Sequence, residues 1–133
     1  MARGLVIMLQ AEHWDPVLAW AEATFDCRFK TTVGVGYIEQ PTDNASRLAA
    51  TLAGIDPFAL AGLHSMTTLM GSVLLALAVQ RAHLTPGAAW TAAHVDEDFQ
   101  VSQWGEDAEA VARRAFRWRD MQAAALLGVR PLR

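Results

Sequence analysis

Polar and apolar positions alternate at helical spacing along most of the chain. Trp14, Leu18, Ala21 and Phe25 form one such stripe, predicting a helix with one buried face that runs to about Cys27. Its start is read from Asp15-Pro16, and the same signal recurs at Asp56-Pro57 and Thr85-Pro86. Each pair places a side-chain acceptor at the N-cap and a pre-set proline at the first helical position. From Phe29 to Gln40, β-branched residues and Gly34-Val35-Gly36 break the helical pattern and predict a short extended connector or strand. Pro41 and Thr42 open another helix, of about three turns, with Leu48, Thr51, Leu52 and Ile55 inward. Pro57 to Gln80 carries no Asp, Glu, Lys or Arg and reads as one helix, apolar nearly all round. Leu60, Leu63, Leu74 and Ala78 stand opposite Phe58, Leu69, Val73 and Ala76 on its wheel. Pro86 to about Gln103 and Glu106 to about Leu127 complete the set, with a break at Gly105. The expected architecture is an all-α bundle of about five helices around the central apolar helix, with residues 1–133 forming a single helical domain.

Two membrane signals are weighed and set aside. Gly4 to Leu9 is shorter than the apolar region of a signal peptide and continues directly into Gln10 and Glu12. The 57–80 run has the length of a membrane span, but His64, Ser65, Thr67, Thr68 and Ser72 interrupt it and no lysines flank it, so no stable membrane insertion is expected. At 133 residues, with 53% hydrophobic and 19% charged residues, the chain is too apolar for disorder and has apolar surface to bury or to offer a partner. A net charge of −3 argues against nucleic acid as a partner. Cys27 is the only cysteine, which excludes an internal disulfide and suits a reducing compartment; with Arg28 and Lys30 nearby it reads as a small structural side chain.

His13, His64, His83 and His94 lie on separate elements, and Ser65, Thr68 and Ser72 have no nucleophile-elbow context. No cofactor, metal or small-molecule substrate is expected, and the chain is not read as an enzyme. The alternative, a small helical metal-binding protein or enzyme, rests on His94 and Glu97 as i,i+3 neighbours. More informative is the segment from His94 to Glu106, where acids alternate with aromatics. On one continuous wheel Ala88, Ala92, Val95 and Phe99 form an apolar face and Trp90, Ala93, Val101 and Trp104 a second. Glu97 falls inside the second, while Asp96 and Asp98 project sideways. A carboxylate between two tryptophans is costly to desolvate unless paired. It pairs either with Arg113, Arg114 or Arg117 of the next helix or with an arginine of a partner; a catalytic acid is the third reading. The arginine run itself reads as the solvated face of the last helix, with Glu109 and Arg113 forming an i,i+4 pair.

These residues resemble a known family, the assembly chaperones dedicated to the α subunit of F-type ATP synthase, found in mitochondria and α-proteobacteria. Gln10, Trp14-Asp15-Pro16, Trp20, Gln40-Pro41, Asp56-Pro57-Phe58 and Gly71 to Ala78 carry the resemblance. Its most specific part is Glu97, Phe99-Gln100 and Trp104-Gly105-Glu106. The resemblance implies a non-enzymatic chaperone that binds the unassembled α subunit, shields its β-contacting surface and prevents aggregation. It implies a partner-binding set of Glu97, Gln100, Trp104, Gly105 and Asp96, and structural roles for Trp14, Pro16, Trp20, Pro57, Phe58 and Phe99. It also implies a cytoplasmic location in a bacterium or the mitochondrial matrix in a eukaryote. The family's β-rich N-terminal domain has no counterpart here, so the sequence is expected to be the helical C-terminal domain alone.

Overall fold

The computed structural model describes residues 2–28 and 43–128. Its seven helices among these residues are α1 (Ala2–Phe25), α2 (Asp43–Thr51), α3 (Pro57–Met70), α4 (Val73–Gln80), α5 (Pro86–Ala93), α6 (Val95–Trp104) and α7 (Ala108–Gly128). No strand occurs among the described residues, so the chain is all-α, and the expected extended connector at 29–40 lies outside them. Two compact units are distinguished, 1–55 and 56–133.

In the first unit α1 packs against α2. Val17, Ala21 and Phe25 form its buried stripe at i, i+4 and i+8, and the Trp20 and Phe25 rings meet edge to face at 5.4 Å. Trp14 and Leu18 are half-buried beside this stripe. Pro16 does not start the helix as expected but lies inside it. Leu5, Met8, Leu9, Gln10, Ala11 and Glu12 are strong helix formers, and they extend the helix ahead of the proline despite its missing N–H. Asp26, at φ 55°, turns the chain out of α1 in the left-handed region. Buried Asn44 then clamps the following backbone, its Nδ2 donating to the Arg28 carbonyl at 2.7 Å and its Oδ1 accepting from the Arg28 N–H at 3.3 Å. Arg47 adds an exposed ion pair to Asp26 at 2.5 Å. Cys27 is buried beneath this turn, and desolvation pushes its thiol pKa up, with Arg47 opposing and Asp26 adding to the shift.

In the second unit α3 lies along α7, and α4 packs against α3, α5 and α7. The 57–80 run is therefore two helices, not the single one expected. Gly71 closes α3 at φ 72°, donating its N–H to the Thr67 carbonyl at 2.7 Å, and Ser72 caps α4 by accepting from the Leu75 N–H at 3.2 Å. With this break the wheel drawn over the whole run no longer applies. Phe58 is 59% exposed, and α4 alone is the enclosed helix, every side chain from Leu75 to Val79 being buried. Asp56 and Thr85 cap as expected, accepting from Ala59 N and Ala88 N at 3.1 Å each, with Pro57 and Pro86 in the first turns. From α7, Trp118, Met121 and Ala125 face inward at i, i+3 and i+7, Met121 being fully enclosed. Arg117 donates to the Leu69 carbonyl at 2.6 Å, tying α7 to the C-terminal end of α3, where free carbonyls favour a cation.

Candidate partner-binding surface

The segment from Pro86 to Trp104 is also two helices rather than one. At His94 (φ −110°, ψ 18°) the backbone N–H bonds to the Thr91 carbonyl at 3.1 Å instead of reaching back to Trp90. The Trp90 carbonyl freed in this way accepts from the buried His94 ring at Nδ1, 2.7 Å away. The Trp90 ring lies 4.3 Å from the His94 ring and 5.5 Å from that of Trp118, so Trp90 is a core residue that links α5 to α7.

This break separates the faces that a single wheel had joined. Val95 and Phe99 are buried. Glu97, however, is not enclosed by Trp90 and Trp104: Trp90 is buried on α5, and Trp104 is 83% exposed at the end of α6. The Glu97 carboxylate, 42% exposed, stands 3.9 Å from the Arg114 guanidinium and 3.8 Å from His94 Nε2. Arg114 also grips Asp98 with both terminal nitrogens, so one arginine from α7 serves two carboxylates of α6. Of the three arginines the sequence offered, Arg114 is thus the one that meets Glu97. Arg113 pairs with Glu109 at 3.8 Å on the exposed side of α7, and Arg117 has gone to the end of α3.

Asp96, Gln100 and Trp104, at i, i+4 and i+8, line the outward face of α6, all exposed. Gly105 follows at φ 88°, ψ 170°, a conformation essentially reserved for glycine. No atom lies within 4 Å of a Cβ placed there, so the requirement is one of backbone conformation and not of space. The turn leads to exposed Glu106 and to Asp107, whose carboxylate accepts from the Glu109 N–H at 3.1 Å at the start of α7. Four of the five expected binding residues therefore share one exposed helix face and its closing turn, with Glu97 set to the side and held from within.

His94 and Glu97 come together, but among the described residues no group of three or more His, Cys, Asp or Glu is placed to hold a metal. Nor is any helix among them long and apolar enough to cross a membrane. Sequence reasoning missed the apolar content of the outward side of α7. Phe116, within the arginine run, and Leu126, beyond it, are exposed there.

No family model matches the chain. Among solved structures, it is similar to Atp12 from Paracoccus denitrificans, with a TM-score of 0.89 and 35% identity over 94% of this chain and 54% of that one. A candidate chaperone from Agrobacterium tumefaciens matches at a TM-score of 0.86 and 45% identity, over 92% of this chain and 46% of its own. The chain spans about half the length of these relatives.

Proposed function

We propose that this chain, which belongs to the Atp12 family across the half of the Paracoccus protein that it spans, acts in ATP synthase assembly as a non-enzymatic chaperone of the unassembled α subunit. The likeness to Atp12 along nearly the whole chain is the observation that carries this reading. In it the chaperone covers the α surface destined for the β subunit and keeps α from aggregating until assembly, in the bacterial cytoplasm or mitochondrial matrix. The outward face of α6 is the contact, with Asp96, Gln100 and Trp104 presented to α and Gly105 fixing the turn beside them. Glu97 contributes from the side, where its tie to Arg114 sets the position of α6. An exposed tryptophan beside polar groups supports this assignment, because such residues are frequent anchors in protein interfaces.

Co-expression with the α subunit tests the reading, with the β subunit as control. Soluble α that co-purifies with this chain, while β does not, is the expected result; α that stays insoluble and unretained overturns it. Glu97→Lys, which sets a cation against Arg114, is expected to lower retention of α while the helical content measured by circular dichroism persists.

A further inference from the structure

The end of α6 has no basic residue of its own. A helix C-terminus carries unpaired carbonyls and a partial negative charge, which basic residues in the last turn normally offset. The last turn of α6 contains no basic residue, and the chain continues into Glu106 and Asp107. Among the described residues no arginine forms an ion pair with either of these acids: Arg114, Arg113 and Arg117 are engaged with Asp98 and Glu97, with Glu109, and with the Leu69 carbonyl, and Asp107 accepts from the Glu109 N–H. Trp104, 83% exposed, is the last residue of α6, one and two residues ahead of Gly105 and Glu106. Gly105 holds the turn between Trp104 and Glu106 in a backbone conformation that few other residues adopt. An exposed indole followed closely in the chain by carboxylates is complementary to a guanidinium, which stacks flat on an indole while its N–H groups reach carboxylates and carbonyls.

We infer that the C-terminal end of α6, formed by Trp104 with Glu106 and Asp107, receives an exposed arginine-bearing segment of the client. The inference rests on the assembly-chaperone reading and specifies which chemistry of the α subunit is recognised. It also relocates the charge readout. Glu97 already has Arg114 and His94 beside it, whereas no basic side chain among the described residues is paired with Glu106 or Asp107.

The test compares retention of the α subunit by the wild-type chain, Trp104→Ala, Glu106→Arg and, as a charge-matched control in the first unit, Glu12→Arg. Circular dichroism and thermal melting establish that each variant is folded. Trp104→Ala and Glu106→Arg are each expected to weaken retention by about tenfold or more, with Glu12→Arg close to wild type. Wild-type retention is also expected to fall as salt is raised. If wild type retains α and Trp104→Ala retains it equally, the inference is overturned and the chaperone reading stands. It is likewise overturned, again with the chaperone reading intact, if Glu106→Arg has no effect or if Glu12→Arg weakens retention as much as Glu106→Arg does. If wild type does not retain α at all, the chaperone reading fails and the inference falls with it.

Discussion

Asn44 shows how much one side chain can settle. Its amide satisfies both backbone groups of Arg28, and it does so from a buried position. Replacing Asn44 with Ala leaves those groups to find other partners, and a loss of about 1–3 kcal/mol is expected in chemical denaturation. Met121 makes a different kind of contribution. It is fully enclosed between helices of the second unit, so Met121→Ala is expected to cost about 2–5 kcal/mol through lost burial and the cavity left behind. Cys27 links stability to pH. Its folded-state pKa is raised, so the unfolded chain releases the thiol proton first; the contribution is intact below the ordinary thiol pKa and is lost as pH rises through the folded one. Cys27→Ser lacks this titration, and its stability is expected to fall less steeply in the alkaline range than that of wild type, measured by denaturant titration at successive pH values. At this scale the sequence was readable where a residue acts on its neighbours, as with Asp56, Thr85 and the Glu109–Arg113 pair. The Asn44 clamp was not readable, because it joins residues sixteen positions apart across a segment with no periodic pattern.

Among the elements, the places where one helix becomes two decide which side chains are presented. Hydrophobic periodicity identified the helical class and most of the helical residues, yet it joined α3 to α4 and α5 to α6. An apolar run with one glycine still scores as continuous, and the break at Gly71 depends on a left-handed backbone together with the cap from Ser72. The junction at His94 gave less warning, since it relies on an imidazole replacing a main-chain donor. Pro16 misled in the opposite direction, being a start signal in most settings but an interior residue here. These misreadings placed Glu97 between two tryptophans, although Arg114, the arginine that meets it, was among the three partners the sequence offered. Ser72→Ala removes the α4 cap and is expected to cost about 1 kcal/mol in a thermal or denaturant melt. Gly105→Ala forces a Cβ into a conformation it resists, with an expected penalty of about 1–3 kcal/mol by the same measurement.

On the scale of the whole molecule, the all-α class and the family were legible from the sequence. The class rests on cumulative periodicity and the family on residues spread along most of the chain, the most specific of them at the end of α6, and neither depends on a single boundary. The exposure of Trp104 was not legible, because it follows from the direction in which α6 leaves the break at His94. That direction has a consequence in time as well as in space. The enclosed helix α4 packs against three neighbours, whereas α6 packs against α5 and is bridged to α7 by Arg114. Amide protons of Leu77 and Val79 should exchange with deuterium only when the second unit opens globally. Those of Gln100 and Gln103 should exchange orders of magnitude sooner, through excursions of α6 that leave the core closed. The helix that carries the candidate contact can therefore breathe independently, and engagement or release of a client need not wait for the slow opening of the interior.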